Sequence, residues 1–226
     1  MEAALTDSIF MRCGRQIVRL CACILVSANL FAANLEVTVV NVSGEPVPGV
    51  VVYTDSPADP SLAPVSTSAV MDQVDTRFVP HVLVVQTGTS VSFPNSDFVA
   101  HHVYSFSTPN QFVLPLYKGN LHAPVTFNQS GVVTLGCNIH DEMLGYILVV
   151  DSATFAMTDV AGKATLNVEN PDGYVVRIWS PRFRESDEQQ RETVAAGKSA
   201  DVTFSLTQKL HDPHDAGSTA LAWKDY

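Results

Sequence analysis

The chain has 226 residues, 46% hydrophobic and 16% charged, which is enough apolar material for one large or two small β domains and too much for a disordered chain. Its 13 Lys and Arg against 23 Asp and Glu give a formal net charge of −10 at pH 7. We therefore expect no binding to nucleic acid or to an anionic membrane surface by electrostatic attraction, whereas a partner with a basic face is compatible.

Residues 1–33 are predicted to be a secretory signal peptide. Three arginines precede an apolar run from Leu20 to Ala33 that is shorter than the about 20 residues needed to span a bilayer, and small residues lie near its end. Acidic residues close to the N-terminus are unusual in such a signal, so Met11 is an alternative start. The prediction is a periplasmic protein without a membrane span after cleavage; an uncleaved anchor is the alternative.

Cleavage would leave Cys137 as the one cysteine of the mature chain, because the other three lie within residues 1–33. One cysteine cannot form an internal disulfide, and an unprotected thiol is a liability in an oxidising compartment. We therefore expect Cys137 to hold a metal, the alternative being a buried inert cysteine.

The pattern along the rest of the chain predicts short strands and no sustained helix. Residues 35–53 alternate as strand, turn and strand, and a Pro-, Ser- and Ala-rich linker follows at 55–68. Short strands recur between 69 and 151 at intervals of roughly 8–12 residues, which is typical of a β-sandwich or barrel. Further strands follow up to Leu206, interrupted by a charged loop or short helix at 182–192, and residues 209–226 are predicted to be a mobile tail.

The segment from Gly136 to Ile147 places a thiolate, an imidazole and a thioether within seven residues, as Cys137, His140 and Met143. Soft sulfur donors beside imidazole suit copper, and one Cys with two His and a weak axial Met is the blue-copper arrangement. The second histidine is expected from His101-His102. Adjacent strand residues face opposite ways, so either one of this pair can be the ligand and the other cannot.

Other chemistries fit these residues less well. Zinc would accept Cys and His but gains nothing from Met143. A Cys/His nucleophile pair needs an orienting third group and a cleft, of which the sequence gives no sign. The absence of Cys-x-x-Cys-His excludes c-type haem.

Residues 69–151 resemble the cupredoxin family over the length of a small cupredoxin. The motifs that match are Phe78-x-Pro80, Gly88-Thr89-x-Val91-x-Phe93-x-Asn95-x-Asp97, His101-x-Val103 and Cys137-x2-His140-x2-Met143-x-Gly145. The loop spacing is that of amicyanin, two residues shorter between His and Met than in plastocyanin. The segment looks closest to the cupredoxin-like proteins labelled "methylamine utilization protein".

The resemblance implies a Greek-key β-sandwich with one type 1 copper ion per chain, held by His101, Cys137, His140 and Met143. His140 would then be the ligand at the solvent edge. The chain departs from the family pattern at His102, where the family has Asn, and at Asp141, where amicyanins have Pro.

The flanks resemble a second family. The motifs in 39–52, 158–166 and 171–178 are similar to strands of carboxypeptidase-regulatory-like, transthyretin-like sandwich domains. We therefore expect one such domain, made from 35–60 plus 152–208, with the cupredoxin domain at 69–151 inserted into it. The alternative is that 35–55 are extra cupredoxin strands and 152–208 a separate appendage.

The expected function is one-electron transfer by a periplasmic blue copper protein, with a redox partner such as a c-type cytochrome or a dehydrogenase. Four protein ligands leave no position for a substrate, so no enzyme activity is expected. The alternative is a non-enzymatic accessory protein that docks a partner or handles copper.

Overall fold

The computed structural model describes residues 33–55, 68–168, 173–184, 190–195 and 199–211. The predicted signal peptide up to residue 32, most of the 55–68 linker and most of the 209–226 tail lie outside these residues. Every regular element within them is a strand, which confirms the all-β prediction. No helix in the described ranges has the length and hydrophobicity that a membrane crossing requires.

The strands are, in chain order, β1 (Ala33–Val40), β2 (Val51–Thr54), β3 (Ser68–Val70), β4 (Asp72–Val74), β5 (Arg77–Val79), β6 (Val82–Gln86), β7 (Thr89–Ser92), β8 (His101–Ser105), β9 (Phe112–Tyr117), β10 (Val125–Phe127), β11 (Gly131–Gly136), β12 (Leu144–Val150), β13 (Phe155–Met157), β14 (Lys163–Val168), β15 (Tyr174–Trp179), β16 (Arg191–Val194) and β17 (Ala200–Ser205).

The middle of the chain forms one β-sandwich, here called the central sandwich. One sheet has the order β10-β7-β3 and the other the order β6-β12-β11-β8-β9, while β4 and β5 form a separate hairpin. Strand β3 is parallel to β7 and β6 is parallel to β12; the other neighbours are antiparallel. Both sheets contribute to one buried apolar cluster, which includes Val91, Phe127, Leu135 and Ile147.

The strands before and after it form a second sandwich, here called the flanking sandwich. Strand β1 lies between β14 and β17, and β2 lies between β13 and β15, with β16 at the edge. One core, including Leu35, Val52, Ile178 and Phe204, takes side chains from both sheets. The N-terminal strands therefore share their sheets with strands that follow the central sandwich.

The two sandwiches meet through a third apolar cluster, here called the junction cluster. Alternate side chains of β2 point to opposite faces, so Val52 enters the flanking core while Val51 enters the junction. In β12, Ile147 enters the central core and Leu148 the junction. The members of the junction cluster are Val51, Leu148, Val150 and Trp179, with partly buried Tyr53, Val82, Val84, Val132, Tyr146 and Phe155.

Strand β5 ends before Pro80, which has no N–H for a strand ladder, and β6 begins after it. In the charged segment expected as loop or short helix, residues 185–189 lie outside the described part. Arg191 and Glu192 begin β16, an edge strand whose charged side chains face solvent.

Candidate metal centre

Three neighbouring strands place the candidate ligands at one end of the central sandwich. Strand β11 lies between β8 and β12, and Gly136 pairs with both Tyr104 and Leu144. Residues 137–143 form the loop that joins the antiparallel strands β11 and β12. His101, the first residue of β8, reaches the same end because β8 runs antiparallel to β11.

The structure brings His101, Cys137 and His140 together. Nδ1 of His101 and Nδ1 of His140 each lie 3.8 Å from Sγ of Cys137, and the three ligand atoms lie within 4.8 Å of one another. The two imidazole rings are 4.9 Å apart between centroids. Within the described ranges, this is the one group of at least three His, Cys, Asp or Glu side chains that could hold a metal ion.

The spacing of these atoms fits a single metal ion. A thiolate about 2.3 Å and an imidazole nitrogen about 2.0 Å from one ion, at angles near 120°, stand about 3.7 Å apart. The two observed distances of 3.8 Å are close to this value. A trigonal set of two nitrogens and one sulfur is therefore available without rearrangement of the three side chains.

Met143 lies in the same apolar cluster as Cys137, and its side chain is buried. Its backbone N–H donates a hydrogen bond of 2.9 Å to the carbonyl of His140. This turn brings the chain back toward the sandwich after the exposed part of the loop. One thioether added to a thiol and two imidazoles is the donor set that favours copper over zinc.

The adjacent histidines face opposite sides of β8. His101 is fully buried beside Cys137, whereas the His102 ring lies 5.7 Å from the Tyr104 ring. Burial lowers the pKa of His102, and its Nδ1 has no hydrogen-bond partner among the described residues. His102 is therefore not one of the three side chains that the structure brings together.

Asp97 contacts the other edge of the His101 ring, a contact that the sequence motif alone did not reveal. Its Oδ2 lies 2.9 Å from Nε2 of His101, and only 8% of its side chain is exposed. A hydrogen bond from the backbone N–H of Thr76 is the main reason that the pKa of Asp97 is lowered to about 2, and the hydrogen bond to His101 adds to this. The carboxylate is therefore ionised near neutral pH.

A buried polar network supports the loop that precedes His101. The side-chain amide of Asn95 donates to the carbonyls of Val99 and Tyr117, and that of Gln73 donates to Tyr117 Oη and to the carbonyl of Pro94. Burial raises the pKa of Tyr117 to about 12, so its hydroxyl stays neutral and donates to the carbonyl of Phe93. The network satisfies backbone groups of a loop that belongs to no sheet.

Two glycines allow close packing around the ligand loop. A Cβ on Gly136 would lie 2.8 Å from the end of the Tyr104 ring, and a Cβ on Gly145 would lie 2.8 Å from Cβ of Phe78. Tyr104 can move its ring end, whereas Cβ of Phe78 is fixed by the backbone of β5. Gly145 is therefore needed at the point where the ligand loop returns to the sheet.

The surface around His140 is apolar and acidic. His140 is half-buried, Ile139 before it is 52% exposed, and Asp141 and Glu142 after it are exposed. The ring of His140 is thus the part of the three-residue group that reaches toward solvent.

No protein-family model matches the chain, and a search of curated proteins found no match. Solved structures show partial likeness. A purple cupredoxin from Nitrosopumilus maritimus is 20% identical over 37% of this chain and 99% of its own, with a TM-score of 0.32. A reduced amicyanin variant is 23% identical over 45% of this chain and 98% of its own, with a TM-score of 0.33.

The Cu-containing nitrite reductase from Thermus scotoductus SA-01 is 25% identical over 49% of this chain and 28% of its own, with a TM-score of 0.34. Each of these three likenesses extends over less than half of this chain. The closer resemblance to methylamine utilization proteins stays a prediction.

Proposed function

We propose that this chain is a type 1 copper protein that carries single electrons. The observation that supports it is the pair of 3.8 Å distances from Cys137 Sγ to the Nδ1 atoms of His101 and His140, with Met143 buried in the same cluster. One copper ion bound by these four residues would supply a one-electron Cu(II)/Cu(I) couple. We propose no enzyme activity, since four protein ligands leave no position for a substrate.

The side chains favour rapid electron exchange because they restrict rearrangement. His101 and Cys137 are buried in packed surroundings, and His101 also forms a hydrogen bond with Asp97. A ligand set that is held in one geometry lets little move when the charge of the metal changes. His140 is the half-buried member of the three-residue group, so its ring is the proposed route for electrons to and from solvent.

The apolar surface around His140 is the proposed docking face for a redox partner such as a c-type cytochrome or a dehydrogenase. Ile139 supplies exposed apolar area, while Asp141 and Glu142 favour a partner with basic residues at its rim. The junction cluster takes its members from β6, β11 and β12 and none from the ligand loop, and Ile139, Asp141 and Glu142 of that loop are exposed.

We propose that the flanking sandwich is one domain into which the central sandwich is inserted, as the pairing of β1 and β2 with β13 to β17 supports. Its resemblance to a carboxypeptidase-regulatory-like domain, the signal peptide and the periplasmic location stay predictions.

Cys137 is a free, buried cysteine, as a thiolate ligand in an oxidising compartment would be.

Voltammetry of the copper-loaded protein tests the proposal. We expect one reversible one-electron wave, with the reduced and oxidised forms interconverting without loss of the metal. A protein that binds only Cu(I), or that releases copper on oxidation, would instead support the accessory, copper-handling function.

Replacing Ile139 by serine is expected to slow electron self-exchange between copies of the protein roughly tenfold, because one exposed apolar contact at the centre of a docking face is worth about 1–2 kcal/mol. The absorption spectrum should not change, since Ile139 is not a ligand. NMR line broadening in mixtures of oxidised and reduced protein measures the rate.

Val160→Ser is the matched control, because Val160 is 89% exposed in the flanking sandwich, away from the metal centre. Equal rates in both variants would exclude Ile139 from the docking face.

A further inference from the structure

The side of His101 that faces away from Cys137 carries a second set of fixed contacts. We infer that Asp97 is a positioning residue, which holds His101 in the tautomer whose Nδ1 lone pair points toward Cys137 and the shared metal position. The inference rests on the proposed function, because it assigns a role to Asp97 at the same centre.

The two ring nitrogens of His101 have different partners. Nδ1 lies 3.8 Å from Cys137 Sγ, and Nε2 lies 2.9 Å from Asp97 Oδ2. An ionised carboxylate only accepts hydrogen bonds, so in the neutral ring Nε2 must carry the proton. Nδ1 is then left with a free lone pair on the side where Cys137 and His140 meet.

Asp97 can fix the ring because its own carboxylate is fixed. Oδ2 accepts a hydrogen bond of 2.7 Å from the backbone N–H of Thr76, and Oδ1 accepts one of 2.6 Å from the N–H of Phe98. The N–H of Asp97 itself donates to Asn95 Oδ1 at 3.0 Å. The carboxylate therefore cannot turn its Oδ2 away from His101 without losing a backbone donor.

The hairpin β4-β5 supplies one of these donors through its turn. Asp75 and Thr76 form a two-residue turn in which both have positive φ, at 49° and 58°, as a type I′ turn requires. Asp72, in β4, also accepts hydrogen bonds from the backbone N–H and the hydroxyl of Ser96. The hairpin thus anchors the loop that carries Asp97, on the side of His101 opposite to the ligand loop.

Two consequences follow for the metal centre. A carboxylate hydrogen-bonded to the remote nitrogen of a ligating histidine fixes the orientation of the ring and makes it a stronger donor. The negative charge of Asp97 also favours Cu(II) over Cu(I), because the oxidised ion carries one more positive charge.

The test compares Asp97→Ala and Asp97→Asn with Asp141→Asn, which removes the same charge from an exposed position beside His140. Long-range ¹H–¹⁵N NMR of the metal-free protein reports the tautomer of His101. We expect the Nε2–H form alone in the wild type and in Asp141→Asn, and a mixture in Asp97→Ala. In Asp97→Asn, whose amide oxygen can still accept a hydrogen bond, the fraction of the Nε2–H form should lie between those two results. Asparagine also keeps the volume of the side chain, so this variant decides the question if the alanine variant does not fold.

Copper binding supplies the second readout. Competition with a chelator should show a 10- to 100-fold loss of Cu(II) affinity in Asp97→Ala, a smaller loss in Asp97→Asn, and a change within about twofold in Asp141→Asn. Both Asp97 variants should have a higher reduction potential than the wild type.

An unchanged His101 tautomer in both Asp97 variants would overturn the inference. The tautomer measurement needs no copper, so it decides the inference separately from the proposed function. A wild type without a thiolate-to-copper absorption band would overturn the proposed function instead.

Discussion

Replacing Cys137 by alanine is expected to abolish the intense blue absorption of the Cu(II)-loaded protein. That band is a charge transfer from the thiolate sulfur to copper, so it cannot exist without Sγ. Loss of groups that merely support a ligand costs 10- to 100-fold in metal affinity, and loss of the ligand itself should cost more than about 100-fold. Visible absorption and chelator competition on the wild type and Cys137→Ala measure both effects.

His102→Asn is the matched control for this experiment. His102 is next to His101 in sequence, but its ring lies against Tyr104, on the face of β8 opposite to Cys137. The band should survive in His102→Asn and disappear or change strongly in His101→Ala. A band that is indifferent to Cys137, or that depends on His102 rather than His101, would contradict the proposed ligand set.

The ligand loop could be predicted from sequence because its residues are local. Cys137, His140 and Met143 fall in one short connection between two strands, and such a connection keeps them close in any register of the flanking strands. His101 was harder, because it comes from another strand. Strand alternation shows that His101 and His102 face opposite ways, but it does not show which of the two faces the core. In the folded chain Val103 and Ser105 are buried on the same face as His101, so His101 is the one that faces the core.

The role of Asp97 could not be read from its position in the motif. Its contact with His101 depends on the path of an irregular loop, which is set by Asn95 and by the N–H of Thr76 in a hairpin about 20 residues earlier. Sequence spacing carries strong information about helices and strands, where side-chain directions repeat. It carries little about a loop whose shape comes from distant hydrogen bonds.

The continuous apolar runs at 50–52 and 147–150 mark strands that are buried on both faces. A strand in an ordinary sandwich alternates, as β14 does with its exposed and buried residues. Strands β2 and β12 do not, because one face enters a sandwich core and the other enters the junction cluster. The runs predicted strands correctly, but the reason for their continuity appears only when the two sandwiches are seen together.

Replacing Trp179 by alanine is expected to lower the stability strongly while leaving the metal centre intact. Trp179 is only 6% exposed, belongs to the junction cluster and packs against Tyr146 with 6.0 Å between ring centroids. Removing a buried Trp side chain costs about 3–5 kcal/mol, which for a chain of this size lowers the melting temperature by about 10 °C. Thermal unfolding followed by circular dichroism measures this loss.

The shape of the transition tests what the junction does. If the junction cluster couples the two sandwiches, the wild type unfolds in one step and Trp179→Ala in two, because each sandwich keeps its own core while the contact between them is weakened.

Phe98→Ala is the matched aromatic control. Because Phe98 is 90% exposed, the stability of this variant should stay within about 0.5 kcal/mol of that of the wild type. The blue absorption should persist in Trp179→Ala, since Trp179 belongs to the flanking sandwich and the ligands to the central one. A wild type that already unfolds in two steps, with midpoints unchanged by Trp179→Ala, would mean that the sandwiches are stable independently and that the junction only sets their orientation.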